Sequence, residues 1–288
     1  MNMADPDAGA ADNAPGPPRP PPSFAVPFDS AAAPWNVHKK EWLRARGLAW
    51  DGIATGALVY YHDDDDDDDD NNNNNNNEQA GERQREGGGS RTRVLLLQRS
   101  GDDEFPNLWE TPGGAVDAED PTILQGCARE LWEETGLVTE RVVRVVTEGR
   151  WGGKGWRGGV VEGEAVTAGA PERVEDSDRR GPALPYEQAG SVFQNETRTR
   201  TYCKFAFEVS VVKKNNTTTT TTAPPEVRLD PAEHQRFVWA SEEEVRAGRC
   251  GSGRTLPFTV MQMRNMLLEG FRLRREDAEM ARKGRVGG

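Results

Sequence analysis

Between Gly113 and Leu137 the chain reads GGAVDAEDPTILQGCARELWEETGL: two glycines, a short acidic loop, then a helix with both of its ends marked. Asp120 suits the N-cap, Pro121 the first helical position and Gly136 the place just past the last turn. Leu124, Cys127, Ala128 and Leu131 recur at helical intervals and predict a buried stripe. On the same helix Glu130, Glu133 and Glu134 are neighbours, so three carboxylates gather on one side. Like charges so placed weaken a helix by about 0.2–0.5 kcal/mol per pair unless a cation lies among them. The face is therefore either solvated surface or a holder of metal. Gly113 and Gly114 let the backbone approach an ion or a phosphate, and a strand, glycine loop and helix in succession fix the acids on firm structure. Mg2+ takes oxygen ligands and commonly binds through few carboxylates together with substrate phosphates. From chemistry alone Glu133 and Glu134 are the first choices for ligands, with Glu130 as ligand or base.

WETPGG followed by RELWEETGL resembles the Nudix box, G-x5-E-x7-R-E-U-x-E-E-x-G-U with U aliphatic. Gly114 matches the opening glycine, Arg129 and Glu130 the RE pair, Leu131 the first U, Glu133 and Glu134 the EE pair, and Gly136 with Leu137 the ending. The first half departs from the pattern. Gly114 and Arg129 are one residue further apart than it allows, and Pro121 stands where the isolated glutamate belongs. Glu119 or Asp120 is the acid available to replace it.

The resemblance implies an α/β (mixed α+β) fold, a Nudix-like mixed sheet sandwiched between helices. It also implies hydrolysis of a nucleoside diphosphate linked to another group, with Mg2+ or Mn2+. It adds the Gly113 carbonyl as a further metal oxygen and casts Arg129 as the residue that orients a box carboxylate. Glu233, ahead of a late strand, offers a distal acid of the kind a later loop supplies in several Nudix enzymes, although a surface position is expected for it. The displaced box glutamate and the large inserts keep a second reading open, a catalytically inactive Nudix-fold module that binds a nucleotide or a protein.

Elsewhere the chain predicts a short helix from Val37 to Arg46, capped by Asn36 and stopped by Gly47. Strands are expected at Ile53–Tyr61, Val94–Arg99, Arg141–Thr147, Thr201–Val212 and Gln235–Ala240. In the fourth, Phe205, Phe207, Val209 and Val211 alternate with Lys204, Glu208 and Ser210, which predicts a half-buried strand. Ser241 and Glu244 suit a capping box, and a C-terminal amphipathic helix spans Phe258 to about Met280.

Runs of eight aspartates (63–70), seven asparagines (71–77) and six threonines (217–222) lie outside any such element. They make the chain lean, 35% hydrophobic, and acidic, with a formal charge of −12 of which the aspartate run carries eight. Residues 1–34 read as disordered, 35–283 as one domain with low-complexity inserts at 62–93, 151–200 and 213–225, and 284–288 as a tail. A GxGxxG match at Gly153, Gly155 and Gly158 does not open a helix and reads as loop. No basic stripe suits a nucleic-acid polymer, no apolar run suits a membrane, and three scattered cysteines suggest reduced thiols. A small-molecule partner and a cytosolic or nuclear location are the expectation.

Overall fold

The computed structural model describes residues 9–10, 25–62, 92–103, 105–148, 190–194, 197, 199–212, 224–251 and 253–286. Most of each expected insert, and the glycine motif at 153–158, lies outside the described residues. In chain order the elements are β1 (Gly9–Ala10), a 3-10 helix (Ser30–Trp35), α1 (Lys39–Arg46), β2 (Gly52–His62), β3 (Thr92–Arg99), β4 (Trp109–Glu110) and α2 (Ile123–Thr135). There follow β5 (Thr139–Val146), β6 (Ser191–Gln194), β7 (Thr201–Val211), β8 (His234–Ser241), α3 (Glu242–Ala247), β9 (Arg249–Cys250), β10 (Arg254–Thr255) and α4 (Met261–Val286).

The main sheet is mixed, in the order β1-β8-β3-β2-β7-β5, with β4 on β3 and β6 on β7. Among the described strands only β2 and β7 run parallel; the other strand pairings within the sheet are antiparallel. β2 serves two partners at its two ends. Gly52 to Val59 pair with β7, whereas Tyr60 to His62 pair with β3. Between β2 and β3 the sheet is thus open along the first half of β2, and the glycine loop fills the gap. Thr55 donates to the Gly114 carbonyl at 2.8 Å, Ala57 to the Pro112 carbonyl at 2.7 Å, and Val116 to the Ile53 carbonyl at 2.9 Å.

Both faces of the sheet are covered. Leu95 and Leu97 of β3 point into one core with Trp42 of α1 and Leu124, Cys127 and Leu131 of α2. Val94 and Leu96 point into the other with Val245 of α3 and Met263, Leu267 and Phe271 of α4. Burial on both faces is why VLLL shows no alternation.

Several expectations are corrected. Residues 30–35 form a helix with Ala32 and Trp35 buried, and Phe28 bridges to Val142, within the stretch read as disordered to 34. Ser191–Gln194 is a strand within 151–200, paired with β7, and α4 runs to Val286 into the expected tail. His38, not Asn36, caps α1, its ring accepting from the Lys40 N–H. β7 is buried on both sides: Glu208 is 3% exposed because α4 covers it, and it pairs with Arg144 at 2.9 Å and Arg274 at 2.7 Å. The ends at Gly47 and Gly136, both left-handed, and the Ser241–Glu244 capping box are as expected.

Candidate functional site

The glycine loop is held so closely against β2 that its first glycine has no substitute. Gly113 has φ +139°, and a Cβ there would collide with the Thr55 carbonyl oxygen and lie 2.8 Å from Gly56 Cα. Its N–H donates to Glu134 Oε2 at 2.7 Å. A Cβ on Gly114 would sit 2.5 Å from Glu130 Oε2, so that carboxylate leans directly on the loop. Two of the three acids of α2 therefore meet the backbone of 113–114, one by hydrogen bond and one by contact.

Arg129 ties the remaining acids together. Its Nε and Nη2 donate to the two oxygens of Asp120 at 3.0 and 2.9 Å, its Nη1 to Glu130 at 2.9 Å and Glu133 at 2.8 Å, and its Nη2 also to the Ala115 carbonyl at 3.0 Å. The paired Asp120 fork, with the other carboxylates, holds the guanidinium firmly protonated. Asp120 is buried and also accepts from the Asp117 N–H at 2.7 Å. Its carboxylate is spent on Arg129, so it is not the N-cap of α2; Thr122 caps the helix instead, accepting from the Gln125 N–H at 3.2 Å. Glu119, the other acid available to replace the box glutamate, is exposed.

Glu134 is 5% exposed, and burial, with the charge of Glu110 nearby, pushes its carboxyl well above the usual range. Burial likewise raises Glu130 to about 7, with Glu133 and Glu233 adding to the rise and Arg129 opposing it. Glu110 goes the other way. Burial alone would raise it, yet Lys204, His234 and Arg99 together hold it down at about 2. One ligand atom each from Glu134, Glu233 and His234 lie within 4.8 Å of one another. Glu233 is exposed and His234 is buried.

A family model of the NUDIX domain matches residues 85–195. Residues 85–195 are thereby assigned to the Nudix family. Comparison with curated proteins gave no match. Among solved structures the chain is similar to a MutT protein from Methanosarcina mazei, at 18% identity over 78% of this chain and 94% of that one, with a TM-score of 0.36. It is also similar to a C. elegans Ap4A hydrolase, at 17% identity over 80% and 98% with a TM-score of 0.36. A third is the NUDIX domain of Shewanella oneidensis NrtR complexed with ADP ribose, at 13% identity over 82% and 97% with a TM-score of 0.41.

Set against the Nudix box, the structure brings Gly113, Glu130 and Glu134 together at the loop, while Glu133, with a side chain 47% exposed, turns outward to Arg129. Sequence reasoning passed over His234 and gave Glu233 to the surface. A turn brings both to α2: Asp230 donates to the Glu134 carbonyl at 3.2 Å and Arg228 to the Thr135 carbonyl at 2.8 Å. The adjacency of Glu233 and His234 ahead of a strand was the one signal in the chain that pointed there. Trp109 lies wholly within the core. Among the described residues no helix is long and apolar enough to cross a membrane.

Proposed function

We propose that this Nudix protein hydrolyses the diphosphate linkage of a nucleoside diphosphate joined to another group, using Mg2+ or Mn2+. The observation that carries this reading is the convergence of Glu134, fixed by the Gly113 N–H, with Glu130 against Gly114 and Glu233 beside Glu134. The donors fit the ion: carboxylate oxygens predominate, as Mg2+ and Mn2+ prefer, and Gly113 leaves no Cβ to hold the acids away from the loop. Glu134 and Glu233 would hold the metal, with Glu133 and the Gly113 carbonyl as further oxygens and Glu130 as a further ligand or as the base. When bound, the ion supplies Lewis-acid stabilisation of phosphate oxygens and acidifies water.

The chain's own residues do the rest. Arg129 fixes the Glu130 and Glu133 carboxylates by charge-assisted hydrogen bonds, and the Asp120 fork fixes Arg129 in turn. That double grip supports reading Asp120 as the acid that stands in for the displaced box glutamate. Glu130, in reach of the loop and partly desolvated, is placed to take a proton from the attacking water. Lys204, 3.6 Å from Glu110 and partly exposed, adds a cation close enough to act on Glu134.

Nucleotide sugars, dinucleoside polyphosphates, NADH, ADP-ribose and oxidised nucleotides, each assayed with Mg2+, with Mn2+ and with EDTA, test the proposal. Metal-dependent products from one of them are expected, and Glu133→Gln with Glu134→Gln should abolish them while the protein stays folded. Tight binding with no such products would favour the inactive binding module instead. Turnover that survives both substitutions would refute the assigned roles.

A further inference from the structure

The imidazole of His234 is 2% exposed, yet neither ring nitrogen makes a hydrogen bond. A buried polar group left in that condition costs free energy unless something else satisfies it. Nε2 faces Glu110 Oε1 at 3.5 Å, a separation that suits a weak ion pair at best, and Nδ1 makes no hydrogen bond. Pairing with Glu110 therefore accounts for one nitrogen and leaves the other.

His234 is held rigidly. Its backbone N–H donates to the Asp230 carbonyl at 2.9 Å, within the turn that docks on the end of α2, and Ser100 donates to the Glu233 carbonyl at 2.8 Å. The result is a ring nitrogen and two carboxylate oxygens, from Glu134 and Glu233, all within 4.8 Å of one another. Donors around one divalent ion lie about 2.0–2.6 Å from it, so two of them are at most about 4–5 Å apart. The three atoms span the space of a single ion.

We infer that His234 supplies a nitrogen ligand to the divalent ion shared by Glu134 and Glu233. The inference rests on the metal-dependent reading above and adds to it an imidazole donor with its own metal preference. Glu110 is the expected partner for the second ring nitrogen, since ligating histidines commonly give their other N–H to a carboxylate, and Glu110 is itself fixed by Arg99 and Lys204. Imidazole favours later first-row ions over Mg2+, whereas carboxylates alone do not. The centre therefore holds Mn2+ and Co2+ partly through His234 and holds Mg2+ almost independently of it.

Pulsed electron paramagnetic resonance on the full chain loaded with Mn2+ reads this without any variant. Coupling from a coordinated 14N is expected, replaced by a 15N pattern when the protein is made with 15N-histidine. The chain has three histidines, so the same spectrum from a His38→Gln, His62→Gln protein assigns the signal to His234. Calorimetric titration of His234→Gln should show Co2+ affinity falling by about tenfold or more while Mg2+ affinity changes much less. Mn2+ that binds, and is weakened by Glu134→Gln, but shows no nitrogen coupling overturns the role of His234 and leaves the hydrolysis reading standing. Mn2+ that does not bind, or binds regardless of Glu134, overturns both.

Discussion

Replacing Gly113 by alanine tests whether the glycine loop is as tightly seated as its geometry demands. At φ +139° a side chain is strained whatever space surrounds it, at a cost of about 1–3 kcal/mol. The new Cβ would also meet the Thr55 carbonyl oxygen and sit 2.8 Å from Gly56 Cα, where ordinary carbon contacts are about 3.5–4.0 Å. Relief requires the loop to retreat by about 1 Å, which loosens two bonds. The Gly113 N–H bond to the Glu134 carboxylate, 2.7 Å long, is worth about 1.5–3 kcal/mol, and the 2.8 Å bond from Thr55 to Gly114 about 0.5–1.5 kcal/mol. The expected loss is therefore about 3–7 kcal/mol, a large part of the roughly 5–15 kcal/mol that holds a domain folded. Urea denaturation at equilibrium measures it, and a thermal midpoint lowered by at least about 6 °C should accompany it. A loss below about 1 kcal/mol would refute the reasoning, because it would mean that the loop moves aside freely and that Glu134 is not fixed by it.

Gly114→Ala should behave differently, since the atoms nearest its Cβ belong to the carboxylate end of Glu130: stability should fall by less than about 1 kcal/mol in the same urea series, while turnover on whichever substrate the panel identifies drops at least about tenfold. Asp120→Asn removes the charge from the fork that grips Arg129 and should cost about 1–3 kcal/mol, whereas Glu119→Gln, at an exposed position, should be neutral; equal effects would contradict the assignment of Asp120. Burial pushes the Cys127 and Cys203 thiols up to about 12, so the native protein at pH 8 should expose at most one thiol to a disulfide reagent and the urea-unfolded protein three. Because those two thiols prefer to be neutral when folded, their contribution to stability is complete below about pH 9 and is lost as pH rises toward 12, which an alkaline denaturation series would follow.

The features that could be read in the chain are those decided within a turn or two. Gly136 and Gly47 end helices because the left-handed conformation is cheap only for such residues, and the Ser241–Glu244 box closes within four residues. The stripe Leu124, Cys127, Ala128 and Leu131 is buried as its spacing implies. What escaped depends on partners far along the chain. Asp120 has the character of an N-cap until Arg129 claims both its oxygens, and Thr122 then takes the cap. Alternation in β7 hides the burial of Glu208, because Arg274 of α4, 66 residues on, covers and neutralises it. Glu233 and His234 reach Glu134 only through a docked turn about a hundred residues downstream, for which local periodicity carries no signal.

The division of β2 between two partners also explains how the chain tolerates its aspartate and asparagine runs. The polypeptide leaves β2 at His62 and re-enters at Thr92, beyond the short ladder with β3, while the glycine loop meets the strand between Ile53 and Ala57. From Gly56 to His62 that is about 20 Å at about 3.3 Å per residue. Residues added between those two points enter the sheet far from the acids, and the same junction is a natural place to graft a fluorescent reporter.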